Sequence, residues 1–119
     1  MKKINFDAAL KKHFKNKTIL ITGHTGFVGS WVTYYFTKLG AKVTGISSSR
    51  IEKNNLFELL KIKNYINHYS FDLCKKKNFF KISQKKFDVV LHLAAKPLVL
   101  AGINEPDNYI KKNILSSLN

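Results

Sequence analysis

The pattern of apolar and polar residues along the chain predicts alternating strands and helices. An apolar run at residues 19–21 precedes a glycine-rich turn, and a helical pattern follows it. The residues that share one face of this predicted helix are Val28, Val32, Phe36 and Leu39. Beyond Gly40, a candidate helix C-cap, residues 41–46 form a β-branched run. This order predicts a right-handed βαβ unit with two parallel strands.

The turn between the first strand and the helix carries Gly23, Gly26 and Gly29. Glycines at such a turn allow close approach of the backbone to a diphosphate, and the N–H groups and dipole of the helix hold the anion. The usual fingerprint is G-x-G-x-x-G, whereas His24 and Thr25 make this loop one residue longer. A turn that binds nothing is the alternative. The predicted dinucleotide contacts in this loop are Gly23, Thr25, Gly26, Phe27, Val28 and Gly29.

The remaining pattern predicts a lead-in helix within 1–17, an amphipathic helix over 54–61, a third strand over 65–71, a basic helix over 75–86, a fourth strand over 87–93, and a helix from Asn104 onward. In the basic helix, Phe79, Phe80 and Ile82 are predicted to face inward, and His92 is predicted to pack inside the sheet region. We therefore predict an α/β fold, a Rossmann-like parallel sheet flanked by helices that forms the first half of a doubly wound fold. Residues 18–119 would form a partial NAD(P)-binding domain, truncated in its fourth crossover helix.

The end of the second predicted strand bears on the choice of cofactor. An Asp or Glu at this place hydrogen-bonds the adenosine ribose in NAD sites. Residues 47–50 read Ser-Ser-Ser-Arg, and no acid follows until Glu52. The hydroxyls of Ser48 and Ser49 and the guanidinium of Arg50 suit a 2′-phosphate, so the cofactor is predicted to be NADP, or either NAD or NADP. An ordinary polar turn remains an equal alternative.

Two further strand ends supply candidate contacts. Asp72, followed by Leu73, ends the third predicted strand, where its carboxylate would either accept from the adenine amino group or cap the next turn. Small residues after the fourth strand leave room for the nicotinamide-side ribose and the diphosphate. The candidate contacts there are Leu93, Ala94, Ala95 and Lys96.

Composition narrows the remaining classes of function. The 119 residues carry a net charge of +14, from 21 Lys and Arg against 7 Asp and Glu, but all except Arg50 of these cations are scattered lysines. This distribution is typical of a solvated surface, so we predict no specific nucleic-acid partner. No apolar run is long enough to span a membrane, and Cys74 has no second cysteine to pair with. We expect a cytoplasmic protein with no membrane partner and no metal site.

Several of these motifs together resemble the extended short-chain dehydrogenase/reductase family, and look most like its CDP-glucose 4,6-dehydratases. They are Thr22 to Trp31 (TGHTGFVGSW), Leu56-Phe57-Glu58, His92 to Ala95 (HLAA), Pro97-Leu98-Val99, Pro106 and Asn113. The resemblance covers nearly the whole chain but only the front part of the family's length. It implies a tightly held NAD(P) that removes a hydride from C4 of a glucosyl unit, elimination of water across C5 and C6, and hydride return at C6. It also implies a nucleotide-sugar substrate, and a homo-oligomer when the enzyme is complete.

Asn113 falls at the family's structural and catalytic asparagine, which organises the active site through its helix. The sequence departs from the family at Lys96, where glutamine is usual, at Leu100, Gly102 and Ile103, where Arg, Ser and Tyr are common, and at Ser116-Ser117, which replace Gly-Thr. Substrate identity is therefore open. The family's Tyr-x-x-x-Lys pair and its Ser/Thr would lie beyond Asn119, and Tyr34 with Lys38 lies in the first helix, on the wrong side of the loop. The chain alone is expected to be inactive; the alternatives are another nucleotide-sugar epimerase or dehydratase, or a non-catalytic nucleotide- or partner-binding remnant.

Overall fold

A computed structural model describes residues 6–48, 51, 53–95 and 103–119. Its strands are β1 (Thr18–Thr22), β2 (Lys42–Ser47), β3 (Asn67–Ser70) and β4 (Val89–His92). Its α-helices are α1 (Phe6–Phe14), α2 (Phe27–Lys38), α3 (Leu56–Leu59) and α4 (Pro106–Leu118). Two 3-10 helices span Ile62–Tyr65 and Lys76–Ile82.

The four strands form one parallel sheet in the order β3-β2-β1-β4, with α2 crossing from β1 to β2. In the centre of the sheet, Ile19 of β1 pairs with Val43 of β2 on one side and with Val89 of β4 on the other. Because successive parallel strands need a crossover, this order places helical segments between them. The predicted Rossmann-like α/β fold is confirmed.

One face of the sheet is covered by α1 and α2. The buried residues Ile19, Ile21 and Val43 form a cluster there, against which Phe14, Val32 and Phe36 pack. Most of the predicted apolar face of α2 is therefore directed at the sheet. Val28, which was predicted to share this face, is instead 59% exposed, because it lies in the first turn of α2, beyond the end of β1.

The opposite face is covered by the segment that follows β3. Leu20, Ile46, Phe71, Leu73 and Ile82 form its buried cluster. The predicted helix over 75–86 is wrong in type and extent, since the structure has a 3-10 helix over Lys76–Ile82. With about three residues per turn, Phe79 and Ile82 share a face, and Phe80 points away from it. The prediction that Phe80 faces inward is accordingly wrong, as this side chain is 79% exposed.

β4 lies at the edge of the sheet in the described part of the chain, and its residues alternate between partly buried and exposed. Val89 and Leu91 pack on the cluster beside α2, whereas Val90 is 58% exposed and His92 is also exposed. Successive side chains of a strand point to opposite faces, and only one face of β4 is well covered here. The prediction that His92 packs inside the sheet region is therefore wrong.

After β2, the next helix and the third strand are both shorter than predicted. The predicted helix over 54–61 is the single turn α3, which Asn55 caps by accepting a hydrogen bond from the Glu58 N–H at 3.0 Å. It buries Phe57 and leaves Leu59 67% exposed. The 3-10 helix Ile62–Tyr65 then delays β3 to Asn67. No helix within the described residues is long and apolar enough to cross a membrane.

Candidate functional site

A cleft of about 840 Å³ opens at the carboxyl-terminal edge of the sheet. Every predicted site residue that lies in the described part of the chain lines this cleft; Ser49, Arg50 and Lys96 lie outside the described residues. The lining residues that were predicted are Gly23, Thr25, Gly26, Phe27, Val28, Gly29, Ser48, Asp72, Leu73, Leu93, Ala94, Ala95 and Asn113. Pockets of about 300–1,000 Å³ are typical of small-molecule and cofactor sites.

Two glycines of the loop are required by the approach of neighbouring backbone. Gly23 has φ +71° and donates its N–H to the Ile46 carbonyl at 2.8 Å, which fixes the loop to β2. A Cβ on Gly23 would lie 2.7 Å from the Ala94 nitrogen. A Cβ on Gly29 would collide with the Gly23 carbonyl oxygen. Thus Gly23 and Gly29 let the loop fold tightly between the ends of β1 and β4 and the start of α2.

Gly26 has a different environment. It is the N-cap of α2 with φ −72°, a backbone conformation open to any residue, and among the described residues a Cβ there would approach only the Gly23 oxygen, at 3.4 Å. The protein itself therefore does not need glycine at this position. Glycine here leaves open the side of the loop that faces the cleft.

The N-terminus of α2 is prepared for an anion. No side chain of the described residues caps it, and its first turn contains no acidic residue. The first N–H groups of a helix have no partner within the helix, and the dipole adds partial positive charge at this end. Phe27, Val28 and Gly29 line the cleft at this point. The arrangement matches the needs of a diphosphate.

A chain of hydrogen bonds links the ends of β1 and β4 to α4. Thr22 Oγ1 lies 2.7 Å from His92 Nδ1, and His92 Nε2 lies 3.1 Å from Ser117 Oγ. Ala94 N–H donates to Thr22 Oγ1 at 3.3 Å, and Ser117 Oγ donates to the Asn113 carbonyl at 3.0 Å. The consistent set of directions has Thr22 donating to Nδ1 and the Nε2–H of His92 donating to Ser117. His92 therefore positions α4, the helix of Asn113, at the cleft.

The two roles considered for Asp72 are compatible. Its Oδ1 accepts a hydrogen bond from the Cys74 N–H at 2.9 Å, so the residue caps the turn after β3. Its exposed side chain also lines the cleft. Sequence reasoning missed Lys75 and Lys112, which line the same cleft and place positive charge beside it. Each is close in sequence to a predicted contact, since Lys75 follows Asp72 by three residues and Lys112 directly precedes Asn113.

The Tyr34 and Lys38 pair does not belong to this site. Lys38 Nζ lies 5.1 Å from the centroid of the Tyr34 ring, so the cation stacks on the ring along α2. Neither residue lines the cleft. Within the described residues, no three His, Cys, Asp or Glu side chains converge to hold a metal ion.

The strand order, the cleft over the carboxyl ends of the strands and the uncapped helix at its floor define a Rossmann-type nucleotide-binding domain. Residues 19–119 match the NAD dependent epimerase/dehydratase family. The chain belongs to this family, which confirms the predicted family resemblance and the nicotinamide class of cofactor.

Relatives in two branches of the family match this chain at the same percentage identity. CDP-glucose 4,6-dehydratase of Salmonella typhimurium is 30% identical over 112 residues, which cover 91% of this chain and 30% of that protein. UDP-glucose 4-epimerase of Caenorhabditis elegans is also 30% identical over 112 residues, covering 85% of this chain and 32% of that protein. Among solved structures, an epimerase from Methanothermobacter thermautotrophicus matches with a TM-score of 0.78 at 23% identity, over 98% of this chain and 34% of that one. The chain spans about a third of the length of these relatives.

Proposed function

We propose that this chain is the NAD(P)-binding portion of a nucleotide-sugar 4,6-dehydratase that acts on CDP-glucose. The observation that carries the proposal is the uncapped start of α2, with no acid in its first turn, at the floor of a cleft lined by the glycine-rich loop. Family membership supports a nicotinamide dinucleotide as the ligand. The motif around His24 and Trp31 and the similarity to the Salmonella dehydratase support CDP-glucose as the sugar nucleotide.

The residues present fit the cofactor. The N–H groups of Phe27, Val28 and Gly29 would bind the diphosphate, and Gly26 would let it approach the backbone. Ser48 would contact the adenosine ribose, Asp72 and Leu73 the adenine, and Leu93 to Ala95 the nicotinamide-side ribose. When bound, NAD(P) would supply a hydride acceptor for C4 of the sugar and return the hydride at C6.

Asn113 is proposed to organise the active site from α4. Its position at the cleft, supported through Ser117 and His92, is consistent with this role. The acid and base of the reaction require a tyrosine tuned by a nearby lysine, as the family resemblance implies. The only Tyr-x-x-x-Lys in these 119 residues is Tyr34 with Lys38, whose ring and amine pack on each other away from the cleft. We therefore propose that these residues bind the cofactor but do not turn over a sugar nucleotide by themselves.

Two alternatives are retained because specific observations favour them. The first is a different sugar nucleotide and reaction on the same cofactor site, which the 30% identity to UDP-glucose 4-epimerase supports. The uncapped start of α2 and the cleft would equally serve a nucleotide-binding protein without chemistry of its own, which is the second alternative. We further propose a cytoplasmic location, homo-oligomerisation of the complete enzyme and no specific nucleic-acid partner, the last because the positive charge comes from dispersed lysines.

Calorimetric titration of the 119-residue chain with NAD tests the cofactor site. We expect binding by the wild-type chain and loss of most of the affinity in Gly26→Val, because a branched side chain would enter the path of the diphosphate. The backbone at Gly26 accepts other residues, so this variant should fold. A circular dichroism melt of both proteins provides the control. Equal affinities in the two would contradict the assignment of this loop as the binding site.

A further inference from the structure

The side chain of His24 is turned away from the cleft and into the protein. Although it belongs to the glycine-rich loop, its ring is fully buried. The ring packs on Gly45 of β2, where a Cβ would lie only 2.5 Å from two of its atoms. It also meets the ring of Phe57 edge to face, with centroids 5.2 Å apart. Gly45 and α3 thus enclose the ring of His24, a residue of the glycine-rich loop.

The His24 ring also has a polar contact, with the side chain of His68. His24 Nε2 lies 2.7 Å from Nδ1 of His68, which is on β3 directly beside Gly45 in the sheet register. At this separation, one nitrogen carries the hydrogen and the other accepts it, so a pair of neutral rings satisfies the contact. Ser30 Oγ donates to the His24 carbonyl at 3.2 Å, which joins the same residue to α2. His24 therefore connects the loop to α2, β2 and β3 together.

The surroundings favour the neutral form of both rings. The pKa of His24 is lowered to about 4, because burial of the ring outweighs the opposing effect of the Ile46 carbonyl and the charge of His68 acts in the same direction as burial. His24 Nδ1 makes no hydrogen bond within the described residues, and burial dominates the shift. Burial and the ammonium of Lys63 lower the pKa of His68. No carboxylate contributes to either shift within the described part of the chain.

We propose that His68 is a positioning residue for the dinucleotide site, which it serves by holding His24, and with it the glycine-rich loop, in the form that binds the diphosphate. The inference rests on the proposed cofactor function and adds a residue on β3 that does not line the cleft. Protonation of His68 puts a hydrogen on its Nδ1, so His24 must then accept at Nε2 and carry its own hydrogen on the buried Nδ1, which has no hydrogen-bond partner within the described residues. This weakens the attachment of the loop to β3, and affinity for the dinucleotide falls.

The test is calorimetric titration with NAD at about pH 7.5 and about pH 5, the lower value being well below the ordinary histidine pKa because burial lowers the pKa of both rings. The variants are His68→Asn and His68→Leu. Asparagine places an amide atom as many bonds from Cα as Nδ1, so it keeps a hydrogen-bonding partner for His24 without titrating. Leucine removes that partner and leaves a buried ring nitrogen unpaired.

We expect the wild-type chain to lose about tenfold in affinity between the two pH values, and His68→Asn to lose at most about threefold. At the higher pH, His68→Asn should bind within about threefold of wild type, and His68→Leu about tenfold more weakly. If His68→Leu does not fold, as judged by its circular dichroism melt, the asparagine comparison decides alone. An unchanged pH dependence in His68→Asn would assign the effect to groups other than this pair and overturn the inference.

The failure of the proposed function has a different signature. A wild-type chain that is folded but binds no NAD at about pH 7.5 would contradict the cofactor site itself, and the inference with it. A wild-type chain that binds NAD, with affinities that His68→Asn and His68→Leu leave unaltered at both pH values, would overturn the inference alone.

Discussion

Replacing Gly29 with alanine tests the close packing of the start of α2 against the backbone of the glycine-rich loop. The added Cβ would collide with the Gly23 carbonyl oxygen and lie 2.8 Å from the Gly23 carbonyl carbon and from His24 Cα. These are backbone atoms that cannot rotate away, so the loop or the first turn of α2 must shift. Overpacking of this kind costs about 1–3 kcal/mol, and a collision with backbone belongs at the upper end. Alanine would recover about 1 kcal/mol as the better helix former, so we expect a net loss of about 2 kcal/mol.

Gly26→Ala is the matched control, since it adds the same methyl group three residues away in the same loop. Its Cβ would meet only the Gly23 oxygen at 3.4 Å, and the expected cost is about 0.5 kcal/mol from the weaker N-cap. Urea unfolding followed by circular dichroism measures both. With a slope of about 1–2 kcal/mol per molar, Gly29→Ala should lower the midpoint by about 1–2 M and Gly26→Ala by about 0.5 M or less. Equal midpoints for the two variants would refute the loop geometry.

Three further predictions follow from the same site. First, NADP should bind no more weakly than NAD, because serine stands at position 48 where NAD sites carry an acid; calorimetry showing NAD favoured by more than about tenfold, or 1.4 kcal/mol, would contradict this. Second, the free energy of unfolding should decrease as pH falls from about 6.5 towards 4, since His24 has a lower pKa folded than unfolded and the unfolded chain takes up the proton first. The full shift from 6.5 to about 4 corresponds to about 3 kcal/mol, and a urea series over this range that is flat for wild type and for His68→Asn would rule the linkage out. Third, the purified 119-residue chain should not convert CDP-glucose with NAD or NADP, and formation of 4-keto product, followed by its absorbance in base, would require an acid and base that we have not identified.

The central part of the fold was predictable because its signals are local. The run Ile19 to Ile21, the three glycines after it and the helical pattern that follows them are adjacent in sequence, and each part restricts the next. The sites at the ends of the other strands followed from topology, since the carboxyl ends of parallel strands meet at one edge. This is why Asp72 and Ala94 could be placed at the same cleft as Gly26 before any contact was known.

The incorrect predictions, and the contact that sequence analysis missed, all depend on packing between residues, which the local pattern of apolar and polar residues does not indicate. Phe80 lies between the apolar residues Phe79 and Ile82 in the sequence, but the 3-10 helix that forms in place of an α-helix turns its side chain outward. His92 follows a strongly apolar run, yet β4 has only one well-covered face in the described part of the chain, so alternation exposes this residue. The contact of His24 with His68 joins residues 44 positions apart through the register of β1, β2 and β3. No local pattern indicates such a pair.

Backbone amide NMR of the 119-residue chain, titrated with NAD, tests the central claim most directly. If the loop holds the diphosphate at the N-terminus of α2, the largest chemical-shift changes should fall on the N–H groups of Gly26, Phe27, Val28 and Gly29, and Gly26→Val should suppress them. The amides of α1, on a face of the sheet away from the cleft, serve as the internal control. Saturable shifts centred on these loop amides are the predicted result. Shifts that avoid the loop and concentrate on another surface, or a folded chain whose spectrum NAD leaves unchanged, would contradict the account.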